Sequence, residues 1–296
     1  MASCPTGPFE PRLVRQHKRR AAKGFREAAF LHRRVVGDLA DRLEAIPRPF
    51  PRALALGGGG LFSQELALRP ELGARIGEVI EADVGSGVEL DPEHLPFAEG
   101  AFDLIVSPLA LHSVNDLPGA LIQIRRALKP DGLMLASLFG GGTLNELRLS
   151  LIEAESELTG GAGPRVAPFA DLADVAGLLQ RAGFALPGAD RDVIAVRYGE
   201  PMRLLLDLRA MGETAALAER NPRGLSRTIL ARAFEIYRQR FSDEEGRVRA
   251  TFEILTATGW APHEGQQQPL KPGSAKARLA DALKTTEQNA GEKAPR

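Results

Sequence analysis

The sequence predicts an α/β protein built on a parallel sheet, and three observations carry that expectation. Strand-like apolar runs alternate with helical stretches through the middle of the chain, the pattern of a sheet whose strands are joined by crossover helices. The first run, Arg52 to Leu56, leads straight into Gly57-Gly58-Gly59-Gly60 and then into the helical stretch Leu61 to Leu68, the opening of a nucleotide-binding unit. The second run, Gly77 to Asp83, ends in an acid 26 positions after Gly57.

Taken in order, residues 11–46 carry Leu13, Val14, Phe25, Phe30, Leu31, Val35, Leu39 and Leu43 at helical spacing, until Pro47 and Pro49 end the pattern. The polar face of this stretch is basic, from Arg12 to Arg26. It reads as a solvated helix face, with contact to an acidic partner or substrate as the alternative. After the two strands come a third, Phe102 to Val106, and a fourth, Gly132 to Leu138. Between them lies the helix Leu117 to Leu128, closed by a Lys129-Pro130-Asp131-Gly132 turn. Helices are expected at 143–158, 171–182, 201–211 and 225–241, and strands at 191–198 and 249–258. Only a weak helix is expected near 275–283, in a polar tail expected to be flexible.

Composition narrows the function. The chain of 296 residues has 38 basic and 38 acidic side chains, so no global charge draws it to nucleic acid or an anionic membrane. One cysteine, Cys4, excludes a disulfide framework and a cysteine-based zinc site. His17, His32, His94 and His263 have no metal-binding spacing, and no metal is expected. There is no secretory-type start and no apolar run of about 18 residues, which predicts a cytoplasmic protein without a transmembrane segment.

A glycine turn between strand and helix lets backbone N–H groups approach a charged ligand. A phosphate loop would need lysine and serine or threonine where Leu61-Phe62 stands, and a dinucleotide loop would need a third glycine where Phe62 or Ser63 stands. The class left is one whose ligand puts an amino-acid part at the loop and ribose hydroxyls on an acid of the second strand, a role open to Asp83.

Several stretches carry a family resemblance: Leu95-Pro96-Phe97, Leu111-His112-Ser113-Val114-Asn115-Asp116-Leu117-Pro118, Leu128-Lys129-Pro130-Asp131-Gly132, Phe139-Gly140-Gly141-Gly142-Thr143-Leu144, Met211-Gly212-Glu213 and Thr251-Phe252-Glu253-Ile254. From about Phe9 to Trp260 the chain resembles the class I S-adenosylmethionine-dependent methyltransferases. Within them it resembles the complex I assembly methyltransferase-like proteins and the malonyl carrier-protein methyltransferases of biotin synthesis. The resemblance implies a Rossmann-like sheet and S-adenosyl-L-methionine as cofactor. It places Gly57, Gly58 and Gly59 at the methionine moiety, Asp83 at the ribose, Asp91 with Glu93 to Leu95 at the adenine, and Ser107 to Leu109 at the pocket floor. It also implies an N-terminal helical extension (1–50), an α/β core (51–200), a helical cap (201–246), a last core strand (247–262) and a tail (263–296). The implied activity is methyl transfer to a carboxylate or protein side chain, or, in the assembly-factor branch, arginine hydroxylation or scaffolding on a respiratory complex I subunit.

Departures from the family pattern point to a third reading, a binding module with an impaired cofactor grip. Ala55 stands where the family's first strand has an acid, and Leu61 where its loop has a third glycine. Between Asp83 and Asp91 there is no room for the dozen residues of a parallel crossover, so Val88 to Leu90 either pairs antiparallel or is not a strand. His112, just past the third strand, is the candidate catalytic base, with a loop-bonding histidine as the equal alternative. Asn115 and Asp116 are expected to cap the helix at Leu117.

Overall fold

The computed structural model describes residues 7–84, 86–221 and 224–266, together with 281 and 284–286. Cys4 and most of the tail, including the weak helix near 275–283, lie outside the described residues. Residues 1–262 form one compact unit and 263–296 another.

Alternating burial builds the larger unit. In β1 (Phe50–Leu56), Ala53 and Ala55 face one apolar cluster while Leu54 and Leu56 face another. The same two-residue period recurs in β4 (Phe102–Pro108) and β5 (Leu128–Phe139), as expected of strands covered on both faces. With β2 (Ile76–Asp83), β3 (Ser86–Gly87), β6 (Ala185–Tyr198) and β7 (Val248–Trp260) these form a seven-stranded sheet of order β3-β2-β1-β4-β5-β7-β6. β2, β1, β4 and β5 are parallel, whereas β7 runs antiparallel to both neighbours. The sheet is therefore mixed. From β1 the chain turns to β2 on one side and later to β4 on the other, and this switch point is where open α/β sheets place ligands.

The single N-terminal helix expected over 11–46 is broken into α1 (Pro11–Ala21), α2 (Phe25–Ala28) and α3 (Phe30–Glu44). Gly24 and Ala29, both outside helical geometry, make the breaks. α3 lays Leu31, Val35, Val36, Leu39 and Leu43 on one face of the sheet, next to α4 (Leu61–Leu68) and α5 (Pro70–Arg75). The opposite face is covered by α6 (Leu117–Ala127) and α8 (Leu172–Arg181).

The crossover helix is missing, and of the two alternatives for Val88 to Leu90 the second holds: the segment is not a strand. Only Ser86–Gly87 pairs antiparallel with β2, while Val88 makes an isolated parallel bridge to Ala82. The Lys129–Gly132 turn is absorbed into β5 as a bulge, with Asp131 at φ 62° and a register shift opposite Phe102–Leu104. β6 starts earlier than expected, through a register irregularity near Ala185. Of the two helices before β7, α9 (Pro201–Met211) ends beside the switch point. α10 (Arg227–Phe241) packs on α7 (Asn145–Thr159), with the buried Tyr237 hydroxyl donating to the Arg249 carbonyl at 2.8 Å. Ala233, Ile236 and Tyr237 of α10 join the same apolar cluster as Leu147 and Leu151 of α7.

Candidate functional site

All four glycines after β1 have positive φ, from 58° to 89°, a conformation that L side chains rarely adopt. Close packing enforces the choice, because a Cβ on Gly57 would lie 2.6 Å from that of Ala110 and one on Gly58 2.7 Å from Pro108 Cγ. The Gly57 N–H donates to the Ala82 carbonyl at 2.7 Å, tying the loop to the end of β2.

Asp83 stands at that end. Its Oδ2 accepts from the Gly59 N–H at 2.9 Å and its Oδ1 from the Val84 N–H at 2.7 Å. Two hollows meet at this residue. The first is lined by Leu56, Gly57, Ala82, Leu90, Asp91 and Glu93, with Arg15 and Lys18 of α1 across from them. The second is lined by Gly58, Gly59, Leu109, Met211 and Glu213, with Phe25, Arg26 and His32 of the N-terminal helices. Asp83 and Lys18 line both.

Gly57, Gly58, Gly59, Asp83, Asp91 and Leu109 are therefore brought together, and two other expected residues are not. The Ser107 hydroxyl is wholly buried and donates to the Leu56 carbonyl at 3.2 Å, so it ties β4 to β1 beneath the floor. Leu95 packs into the apolar cluster around α6, and its N–H donates to Gln123 Oε1 at 3.0 Å. Asp91 is oriented by the Glu93 N–H and lies 3.6 Å from Arg15. Glu93 turns its carboxylate onto the N–H groups of Asn115 and Asp116.

Asp116 caps α6 as expected, accepting from the Gly119 N–H at 2.8 Å. Asn115 does not cap it. Its side chain accepts from the Phe9 N–H and donates to the Phe9 carbonyl, fastening the N-terminal segment to the rim of the first hollow.

The acid absent at Ala55 has a neighbour in Glu81, its register partner on β2. Burial pushes the Glu81 carboxyl above the usual carboxylate range, although the Ser63 hydroxyl and N–H at the start of α4 both donate to it. It is committed to the helix.

Sequence reasoning missed a buried group at the back of the second hollow. His112, in a short 3-10 turn after β4, places Nε2 2.9 Å from Glu213 Oε2, and His32 of α3 places Nε2 3.6 Å from Glu213 Oε1. Burial alone would raise the Glu213 carboxyl, yet the facing His112 and then His32 hold it well below the usual carboxylate range. Both Nδ1 atoms are buried without a hydrogen-bond partner among the described residues. The His112 ring lies 4.5 Å from that of Phe139 and 5.7 Å from that of Phe169. The Met211-Gly212-Glu213 stretch carries part of the family resemblance, but nothing local in it says that Glu213 meets residues 181 and 101 positions earlier. Among the described residues no group of three or more His, Cys, Asp or Glu is arranged to hold a metal, and no helix is long and apolar enough to cross a membrane.

A family model described as a methyltransferase domain matches residues 58–136. The human protein named "Arginine-hydroxylase NDUFAF5, mitochondrial" is 40% identical over 284 residues, covering 90% of this chain and 81% of that one. A malonyl-(acyl-carrier protein) O-methyltransferase of Halorhodospira halophila is 33% identical over 270 residues, covering 85% of this chain and 88% of that one. Among solved structures, the YcgJ protein of Bacillus subtilis matches with a TM-score of 0.49 at 18% identity, over 78% of this chain and 99% of that one.

Proposed function

The chain belongs to the class I S-adenosylmethionine-dependent methyltransferases, and from that premise we propose that it holds S-adenosylmethionine across its glycine loop and acts on a carboxylate or a protein side chain. The observation that carries this reading is the position of Asp83, shared by both hollows and locked to the loop through the Gly59 N–H. A carboxylate has about four lone-pair sites, so acceptor capacity remains for two ribose hydroxyls. Gly57 to Gly59 would line the methionine part, Asp91 and Leu90 the base, and Leu109 the floor of the second hollow.

When bound, the cofactor supplies a methyl group made electrophilic by its sulfonium. The protein's part in such an in-line displacement is alignment and exclusion of water. Phe25, Leu109 and Met211 provide the apolar walls for this. His112, the candidate base of the sequence reading, lines neither hollow, and with Nε2 held by Glu213 and Nδ1 buried it acts as a positioning residue for that carboxylate.

The 40% identity to a protein named an arginine-hydroxylase favours a second reading, an arginine-modifying or scaffolding role toward a protein such as a respiratory complex I subunit. Ala55 and Leu61, both buried and apolar, with the two-residue β3, favour the third, a binding module that grips the cofactor poorly. Cytoplasmic placement accords with the single cysteine.

Calorimetric titration with S-adenosylmethionine separates these. Micromolar binding supports the enzyme readings, and no heat up to millimolar ligand leaves the scaffolding role and the binding module. Mass spectrometry of proteins from cells with and without the gene then distinguishes a missing methyl group from a missing oxygen on arginine. Unchanged complex I levels in the deletion strain would remove the assembly reading.

A further inference from the structure

Glu213 lies just past α9, outside the strand-loop-helix unit that supplies Gly57 to Gly59 to the candidate cofactor site. Contacts bracket it against the loop from both sides. On one side Phe25 touches Gly59, whose Cβ would lie 2.7 Å from the ring, and the Phe25 ring stands 4.8 Å from that of His32, which faces Glu213 Oε1. On the other side Ala110 packs on Gly57, and two residues later His112 meets Glu213 Oε2. The carboxylate thus lines the same hollow as Gly58 and Gly59.

Its surroundings are incomplete without a ligand. Each imidazole turns Nε2 toward Glu213 and leaves Nδ1 buried without a hydrogen-bond partner among the described residues, and a buried polar atom without a partner is costly. His32, 3% exposed and lining this hollow, is one such group. A buried carboxylate that also lines an open hollow is a receptor for a cation bearing N–H donors or a positive charge. Lys18 and Arg26 at the same hollow offer the complementary seat for an anion. The combination suits a zwitterionic amino-acid end.

We propose that Glu213, held between His32 and His112, is the anionic seat for the positively charged end of the adenosyl ligand, supplied from the segment after α9 in place of an acid on β1. The assignment rests on the cofactor reading above and adds to it a residue from outside the methyltransferase core. Neither Glu81, occupied by Ser63, nor Asp83, bonded to the Gly59 N–H and assigned above to the ribose, fills that place.

The test compares three probes on the full chain: S-adenosylmethionine, S-adenosylhomocysteine and 5′-methylthioadenosine, which lacks the amino-acid end. Glu213→Gln should weaken the first two by about tenfold or more, the scale of a lost charge-assisted hydrogen bond, and leave 5′-methylthioadenosine within about twofold. Loss of both amino-acid ligands assigns Glu213 to the ammonium, and loss confined to S-adenosylmethionine assigns it to the sulfonium. Equal affinities in variant and wild type, or an equal drop for all three probes, would overturn the proposal while leaving the cofactor reading in place. No binding of any probe by the wild type would sink both. Imidazole nitrogen NMR on the unaltered protein gives an independent readout should the variant not fold. S-adenosylmethionine should shift the His32 and His112 signals and 5′-methylthioadenosine should not, and identical responses to the two count against the seat.

Discussion

Asp83 joins structure to function at the level of single atoms, since its carboxylate secures the loop through Gly59 and faces the hollows with what remains. Asp83→Ala should cost the loop about 1–2 kcal/mol and abolish measurable S-adenosylmethionine binding by calorimetry. Retained micromolar affinity would show that the ligand is gripped elsewhere. Glu213 gives a prediction in pH. Its folded-state carboxyl is lowered, so the stability it contributes is present above its ordinary value of 4.5 and is lost as pH falls toward the folded value. His112 and His32 face it directly, Lys18, Arg26 and Asp83 share its hollow, and His17 of α1 bonds the adjacent Thr214 carbonyl. Urea midpoints should separate wild type from Glu213→Gln at pH 6, with the gap closing as the solution is acidified below about pH 4.5. A gap independent of pH would mean that packing, not charge, is what the substitution removes.

At the scale of elements, the N-terminal helices serve as one wall of the site and part of the core. Leu39 on α3 is wholly buried, and Leu39→Ala should cost about 2–5 kcal/mol by chemical unfolding. A loss below 1 kcal/mol would show that α3 is not docked as described. The buried Glu155 of α7 pairs with Arg165 in the loop that follows, whose guanidinium holds the Glu155 carboxyl below its usual range. Arg165→Met should destabilise by roughly 3 kcal/mol, because it strands a buried charge. That penalty should shrink at low pH, where Glu155 protonates. These helices were only partly legible. Apolar spacing located α9 and α10 to within a few residues and the end of α3, but ran α1, α2 and α3 together. The breaks at Gly24 and Ala29 were missed because they matter through Phe25 reaching Gly59, a contact between distant segments.

Across the whole molecule, the sheet was readable because its strands are apolar and alternate faces, and the loop because four glycines in a row have few other uses. The short Asp83–Asp91 connection was readable too, as arithmetic on crossover length. The His32–Glu213–His112 group was not, because it joins three elements that only the folded chain brings together. Ser107 was misplaced for a related reason: a strand end predicts a floor but not which side chain turns up into it. The account as a whole depends on an adenosyl ligand spanning the two hollows over Asp83. The direct test is a crystal structure of the protein with S-adenosylhomocysteine. The account predicts both ribose hydroxyls within hydrogen-bonding distance of Asp83, the base beside Leu90 and Asp91, and the amino-acid end between Gly58 and Glu213. A ligand bound elsewhere, or a ribose that leaves Asp83 untouched, would contradict it.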